Sequence, residues 1–197
     1  MANFYRFVLI ALFLFQIPIL IAKAQKVRMA TEAGNIELEL YPDKAPVTVA
    51  NFLKYVDEQR YNGSVFYRVV RMDNQAKNKV KIEVIQGGLS EDSTKRLLPI
   101  VHETTLKTGL KHLDGTLSMA RMGPGTASSE FFICINDQPE LDTGGLRNPD
   151  NQGFAAFGKV TKGMDIVRKI QSGKTGENEK VQTLAHPVKI LTIRRIP

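Results

Sequence analysis

Short segments in which apolar and polar residues alternate recur along most of this chain, and they limit it to folds built from many strands. Residues 27–30 and 36–40 alternate on either side of a short polar turn, which is typical of an antiparallel hairpin. Further strands are predicted at residues 65–70, 80–88, 116–120, 131–135, 154–160 and 188–193. Many short strands with few helices indicate an all-β barrel or sandwich.

Two segments have the apolar spacing of a helix instead. The first begins near Pro46, a residue suited to an early helical position, and its apolar face runs to about Asp57. The second follows a glycine and carries Met164, Val167 and Ile170 on one face. The chain is therefore predicted to be mainly β with two short helices.

Two polar segments are predicted to be loops, residues 71–79 and residues 142–153. Both are rich in amide side chains, and the second also holds three glycines and a proline. No internal repeat or composition shift divides the rest of the chain. We therefore predict one domain over residues 25–197.

The first 24 residues have the composition of a secretory signal peptide. Arg6 ends a short basic start, and a mainly apolar stretch follows from residue 7 to residue 21. Ala22 and Ala24 then place small residues at the positions that signal peptidase reads. The apolar stretch is shorter than the about 20 residues of a membrane span, so a retained anchor is the weaker interpretation. We predict cleavage before Gln25 and no stable membrane insertion afterwards.

The charge pattern argues against a nucleic-acid site. The net charge is +7 at pH 7, and the basic residues are spread singly and in pairs, without aromatic residues between them. Such a distribution is typical of a solvated surface. The glycine-rich segment at residues 123–125 lacks the following helix and the lysine of a phosphate-binding loop.

The cysteine and histidine inventory disfavours metal or covalent chemistry. The single cysteine, Cys134, lies in an apolar segment and is predicted to be a buried strand residue. His102, His112 and His186 show neither metal-ligand spacing nor an arrangement with a nucleophile, and we expect them to be exposed and without a role. What remains is chemistry that needs no cofactor and no covalent intermediate.

A series of motifs then occurs in one order over nearly the whole of residues 27–193. They are FYRVV (66–70), IQGG (85–88), GTLSMAR (115–121), GP (123–124), SEFFI (129–133), LD (141–142), FGKV (157–160) and GMDIV (163–167). Each is weak alone, but the ordered set resembles the cyclophilin family of peptidyl-prolyl cis-trans isomerases. The details most resemble cyclophilins that bacteria export to the periplasm.

This resemblance implies a fold and an activity. The fold would be an eight-stranded antiparallel β-barrel capped by two short helices. The activity would be cofactor-free acceleration of X-Pro isomerisation in exported proteins as they fold, in the periplasm of a Gram-negative bacterium. The partners would be proline-containing segments of unfolded or folding proteins, with no nucleic acid, and the protein would be a monomer.

Arg68 resembles the arginine to which the family assigns catalysis. Resonance gives the X-Pro bond double-bond character and a barrier on the order of 20 kcal/mol. As the bond twists, the lone pair of the imide nitrogen localises, and a donor aimed at it stabilises only the twisted state. A guanidinium suits this task because it stays charged at any working pH.

The resemblance also implies a substrate groove. Phe132 and Leu141 match the residues of the family's proline pocket, and Val84 stands where the family usually has methionine. Gln86 matches the glutamine that bonds the substrate backbone. Val84 and Gln86 are two residues apart in a strand, so they lie on the same face of the sheet.

Four further positions complete the implied groove. Ala120 and Arg121 match the segment whose main chain pairs with the bound peptide, although the family has asparagine at the second of them. Glu130 stands where the family has glutamine beside the groove. Phe154 takes the place of the family histidine, which keeps an aromatic wall but removes a polar tip.

The segment before Gln86 departs from the family pattern. The gap between Arg68 and Gln86 is longer than in the family, and Glu83 falls where the family has a pocket phenylalanine. A carboxylate there would either pair with Arg68 and restrain it or face solvent. Glu83 and Phe154 therefore favour an alternative, a cyclophilin-fold peptide-binding module or holdase with little turnover.

Overall fold

Eight strands form a closed antiparallel barrel, which confirms the fold that the sequence implies. We describe residues 24–90, 92–178 and 181–197 of a computed structural model, so the predicted signal peptide lies outside the described residues except for Ala24. Around the barrel the strands follow the order β1-β2-β7-β5-β6-β4-β3-β8. Their bounds are β1 Gln25–Thr31, β2 Gly34–Leu40, β3 Val65–Val70, β4 Val84–Gly88, β5 Thr116–Met119, β6 Phe131–Cys134, β7 Ala155–Lys162 and β8 Thr183–Ile196.

The hairpin of β1 and β2 shows how alternation fills the barrel. Val27 and Met29 on β1 are fully buried, as are Ile36 and Leu38 on β2, while the residues between them are less buried. Val27 is paired with Leu38, and Met29 with Ile36. Because side chains alternate along a strand, both pairs point to the interior.

Three helices lie in the described residues where two were expected: α1 Pro46–Asp57, α2 Thr105–Thr108 and α3 Met164–Gln171. The extra one, α2, is a single turn that Thr104 caps with its side chain and that ends at Gly109 in the left-handed conformation. Four residues are too few to show a helical apolar period, so the sequence pattern gave no signal for it.

Helix α1 closes one end of the barrel. The Phe52 ring packs against Phe131 and Phe157 with centroids 5.6 and 5.2 Å apart. Pro46 occupies the first turn, as predicted, but Ala45 at the N-cap has no side chain that accepts a hydrogen bond. A carboxylate from elsewhere in the chain takes that role.

That carboxylate belongs to Glu103, which is only 2% exposed. One oxygen accepts from the Val47 amide at 3.2 Å, and the other accepts from the Thr48 amide at 2.8 Å and the Thr48 hydroxyl at 2.7 Å. A negative charge here satisfies unpaired N–H groups and complements the positive end of the helix dipole. Glu103 thus ties α1 to the segment before α2.

Two predicted strands begin elsewhere than expected. The strand predicted from residue 80 begins at Val84, because the Val80 carbonyl and both main-chain groups of Ile82 bond side chains instead of a neighbouring strand. The Gln75 amide, 2% exposed, bonds both the N–H and the carbonyl of Ile82. The last strand begins at Thr183 rather than at residue 188, and it includes His186 and Pro187, which interrupt the apolar alternation.

Two apolar clusters share strand β6. Phe131 and Ile133 point into the barrel and join the main core. Phe132 and Cys134 point outward and join a smaller cluster with Val84 and Leu141. Cys134 is fully buried, which confirms its predicted place in a buried strand. The outer cluster forms the floor of the groove that the sequence motifs converge on.

Candidate active site

A bulge in β3 directs Arg68 out of the barrel. Phe66 pairs with Gly87 and Arg68 pairs with Gln86, so Tyr67 is an extra residue opposite β4. In a regular strand Phe66 and Arg68, which are two residues apart, would face the same side of the sheet. With the bulge, Phe66 and Val69 both enter the core and Arg68 faces the groove. Bulges commonly re-aim a side chain in this way.

Two glutamine side chains hold the Arg68 guanidinium. Its Nη1 donates to the Gln86 Oε1 at 2.8 Å, and its Nε and Nη2 donate to the Gln182 Oε1 at 3.1 and 2.6 Å. Gln182 is itself fixed, since its Nε2 donates to the Asn74 carbonyl at 3.1 Å. Partial burial lowers the pKa of Arg68, but a guanidinium remains charged across the physiological range. The donor is therefore preorganised before substrate arrives.

The orientation of Gln86 is set by a chain of hydrogen bonds. Its Nε2 donates to the Tyr67 hydroxyl at 2.7 Å, and that hydroxyl donates to a Glu130 carboxylate oxygen at 2.7 Å. Burial, and then the Glu130 charge, raise the pKa of Tyr67, so the hydroxyl keeps its proton. This chain leaves the Gln86 Oε1 as the atom facing Arg68.

Apolar side chains form the wall below Arg68. The cavity, of about 250 Å³, is lined by Val84, Phe132 and Leu141, and by Ile82 from the segment before β4. The Phe154 ring stands edge-on to Phe132 with centroids 5.2 Å apart. An apolar concave site with a few fixed donors is what a small cyclic residue such as proline requires.

Arg121 anchors the 142–153 loop against the groove. Its side chain, 1% exposed, forms a bidentate pair with Asp150 at 2.7 and 2.9 Å and donates to the Gly153 carbonyl. Its guanidinium also lies 5.3 Å over the Phe154 ring. Gly153 has φ +61°, and a Cβ there would collide with the main chain of Leu141 and Asp142. Glycine at this position thus allows the main chain of the loop to approach residues 141–142 at the edge of the groove.

The structure brings the expected site residues together. Arg68 and seven of the residues named for substrate binding line the cavity, namely Val84, Gln86, Ala120, Arg121, Phe132, Leu141 and Phe154. Glu130 lines a second cavity that adjoins the first and shares Gln86, Ala120, Arg121 and Met122 with it. The two cavities form one groove across the outer face of β3, β4 and β6, beside the segment that follows β5.

Of the two alternatives for Glu83, pairing with Arg68 is excluded by the structure. The Glu83 carboxylate accepts from the Asn136 side chain at 2.8 Å, and Glu83 does not line the groove. Ile82 lines the groove instead. Alternation in the extended segment that leads into β4 explains this outcome, since Ile82 shares a face with Val84 and Glu83 does not.

The expectation that His112 is exposed and without a role is also wrong. His112 is 1% exposed, its Nδ1 lies 2.8 Å from Asp142 and its Nε2 lies 2.9 Å from the Ser118 hydroxyl. Its ring stacks on Phe132 with centroids 6.0 Å apart. Burial lowers the pKa of His112, so the neutral ring donates to Asp142 and accepts from Ser118. These contacts support the groove wall from behind.

The sequence patterns did not predict three residues of the candidate site. Gln182 lies 114 positions from Arg68 in the chain, and only the closure of β8 onto β3 brings them together. Arg147 and Asn148 belong to the 142–153 loop and line the groove. A glycine-rich loop carries no periodicity from which a side-chain position can be predicted.

Comparison with known proteins assigns the family. The family model described as cyclophilin type peptidyl-prolyl cis-trans isomerase/CLD matches residues 26–195. The chain belongs to this family. It is a cyclophilin-type peptidyl-prolyl cis-trans isomerase, and the groove lies where the motifs of the family converge.

Curated bacterial relatives support the same assignment. A peptidyl-prolyl cis-trans isomerase of Acinetobacter baylyi is 39% identical over 173 residues, which cover 85% of this chain and 84% of the relative. Peptidyl-prolyl cis-trans isomerase B of Escherichia coli is 36% identical over 151 residues, covering 75% of this chain and 85% of the relative.

Solved structures share the cyclophilin fold. A cyclophilin type peptidyl-prolyl cis-trans isomerase of Cryptosporidium parvum superposes with a TM-score of 0.69 and 21% identity over 89% of this chain and 99% of the other. The same protein in the presence of the dipeptide Ala-Pro gives a TM-score of 0.70. None of the described helices has the length and apolar character needed to cross a membrane.

Proposed function

We propose that this isomerase accelerates X-Pro exchange by donating a hydrogen bond from Arg68 to the imide nitrogen of the twisted bond. The observation that carries this proposal is the guanidinium held by Gln86 and Gln182 above an apolar wall. The imide nitrogen becomes a good acceptor only when resonance is broken. A donor fixed at that point stabilises the transition state more than the planar ground states.

The wall supplies the second part of the proposed mechanism. Phe132, Leu141 and Val84 offer an apolar surface on which the proline ring is held while the residue before it rotates. A related cyclophilin was solved in the presence of the dipeptide Ala-Pro, which supports a proline-containing ligand for this groove. Because Glu83 lies off the groove, no carboxylate from that position restrains Arg68.

The test of this activity is the exchange rate of a short Ala-Pro-Phe-type peptide. We expect the purified protein to raise that rate well above the uncatalysed rate, which is slow enough to follow by hand mixing. A protein that binds the peptide without raising the rate would instead be a binding module or holdase.

We also propose that the substrates are exported proteins and that the enzyme acts in the periplasm as a monomer. The proposal is supported by the basic start, apolar stretch and Ala-x-Ala ending of residues 1–24. Mass spectrometry of the protein from a periplasmic extract should find Gln25 at the N-terminus. Recovery of the uncleaved chain from the cytoplasm or the membrane would contradict it, and a dimer in solution would contradict the monomer.

A further inference from the structure

A third arginine, Arg147, lines the groove besides Arg68 and Arg121. Arg147, on the 142–153 loop, is half-buried and lines the same cavity. Its Nη1 donates to the Val80 carbonyl at 2.6 Å and to the Gln75 Oε1 at 3.2 Å. Because Gln75 is buried and also bonds Ile82, these contacts fix the Arg147 side chain against the segment before β4.

Neither Arg68 nor Arg147 has a carboxylate partner among the described residues. Arg68 bonds only amide oxygens, and Arg147 bonds one amide oxygen and one main-chain carbonyl. The acids near the loop are engaged elsewhere. Asp150 pairs with Arg121, and the Glu140 carboxylate accepts from the Leu146 amide at 2.8 Å.

Two uncompensated cations therefore face one small cavity. Both guanidinium groups line the same cavity, and burial, followed by the positive charge of Arg68, lowers the pKa of Arg147, as expected for neighbouring like charges. An anion placed between them would relieve that repulsion in a partly desolvated site, where charge interactions are stronger than in water.

Arg147 also retains unused donors. Its Nε and Nη2 make no hydrogen bond to any residue in the described ranges, while its Nη1 is already bonded. A guanidinium presents its donors in a planar fork that matches the two oxygens of a carboxylate.

We propose that the groove selects proline-containing segments that carry an Asp or Glu next to the proline, and that Arg147 binds the carboxylate of that residue. Arg68 stays with the imide nitrogen, and Arg147 acts at the rim as a specificity residue. This inference rests on the proposed function for the placement of the proline, but it concerns binding and is testable apart from turnover.

The test uses two peptide series, Ala-X-Pro-Ala and Ala-Pro-X-Ala, in which X is Glu, Gln or Lys. We expect the Glu peptide of at least one series to bind about threefold to tenfold more tightly than its Gln counterpart, and the Lys peptide to bind more weakly. Dissociation constants from fluorescence anisotropy give the ratio. The preference should shrink between about 20 mM and about 500 mM salt, as expected for a partly exposed ion pair.

Variants assign the preference to Arg147. We expect Arg147→Gln to reduce the Glu/Gln ratio to about one, Arg147→Lys to keep most of it, and Arg194→Gln to leave it unchanged. Arg194 is a matched control because it is an exposed arginine on β8 that does not line the groove. Unchanged affinity of Arg147→Gln for the Gln peptide would show that the groove is intact.

Two results would overturn the inference: equal binding of the Glu and Gln peptides by wild type in both series, or a full Glu preference in Arg147→Gln. The first result is measured on wild type alone, so it does not depend on whether the Arg147→Gln variant folds. Turnover of the Gln peptides, measured in parallel, tests the isomerase separately. Turnover without Glu selectivity contradicts only this inference, whereas Glu-selective binding without turnover contradicts only the catalytic function.

Discussion

At the scale of single residues, the activity depends on how firmly Arg68 is held. Three of its N–H groups are bonded to glutamine side chains, and none of these partners carries a charge. Neutral acceptors orient the guanidinium without neutralising it. The positive charge thus remains available to the imide nitrogen, which is what electrostatic preorganisation requires.

Gln182 is the partner whose removal tests this restraint. We expect Gln182→Met, which keeps the volume but removes the acceptor, to lower kcat by about threefold to tenfold while peptide affinity changes little, because the donor must then be ordered during the reaction. Gln152→Met, at an exposed glutamine, is the control. A kcat equal to that of wild type would mean that Gln182 does not position Arg68.

His112 makes stability depend on pH. Burial lowers the pKa of His112 in the folded protein, whereas in the unfolded chain the pKa is near 6.5. Below about pH 6.5 the unfolded chain gains a proton that the folded protein does not, so the free energy of unfolding falls as pH falls, by at most about 1.4 kcal/mol per pH unit.

Urea unfolding at about pH 7.5 and about pH 5.5 measures this effect. We expect His112→Gln, which does not titrate, to lose less stability between the two values than wild type. Asp142 does not interfere, because its pKa is lowered from 3.8 and its titration lies below this window. Equal losses in both proteins would show that the folded protein protonates His112 as readily as the unfolded chain does.

At the scale of elements, helix α1 depends on a charge supplied from outside it. Glu103 satisfies two N–H groups at the N-terminus of α1 and is almost fully buried. We expect Glu103→Ala to lower the free energy of unfolding by about 1–3 kcal/mol through the loss of these bonds. Chemical denaturation measures the change, with exposed Glu58→Ala as the control. A change below about 0.5 kcal/mol would mean that water replaces the cap.

The elements that the sequence predicted correctly are those with a regular apolar pattern. The hairpin of β1 and β2 buries every second residue and helix α1 buries one face, whereas strand β6 is an unbroken apolar run that is buried on both faces. The errors lie where side chains satisfy the main chain. The Gln75 side chain bonds both main-chain groups of Ile82, so the strand ladder does not extend to residues before β4. Such side-chain bonds do not change the apolar periodicity of the sequence, so the pattern cannot predict them.

The candidate site could be predicted from the sequence to the same extent as the fold. The order of the motifs predicted that Arg68, Gln86 and Phe132 line one groove. The cross-strand pairs Arg68 with Gln86 and Gln86 with Phe132 place them there. Alternation also contains the information that Ile82, and not Glu83, faces the groove beside Val84. Gln182 and Arg147 reach the site only through barrel closure and loop packing, which depend on contacts between residues distant in the chain.

At the scale of the whole molecule, the closed barrel leaves no unpaired edge strand among the described residues. Strand β8 pairs with both β1 and β3, so the two ends of the domain lie in one ladder. Strands β3, β4 and β6 also carry residues of both the main core and the outer cluster, so opening one of them exposes both. We infer that the domain opens cooperatively rather than strand by strand.

Cys134 reports on this cooperativity. It is fully buried on β6, and burial raises the pKa of its thiol well above the usual value, so the reactive thiolate is scarce in the folded protein. We expect an aromatic disulfide reagent to label Cys134 no faster than the protein unfolds, and to label it promptly in denaturant. Labelling much faster than unfolding, measured by circular dichroism, would reveal local opening of β6 and contradict the cooperative account.

The most direct test of the whole account is the kcat/KM of Arg68→Ala on an Ala-Pro-Phe-type peptide, with Arg194→Ala as the matched control. We expect a loss on the order of 100-fold to 1,000-fold for Arg68→Ala, as for other preorganised donors to a transition state, and no loss for the control. Peptide affinity should change far less than the rate, because the donor acts on the twisted bond. A rate for Arg68→Ala equal to that of wild type would contradict the assignment of catalysis to Arg68.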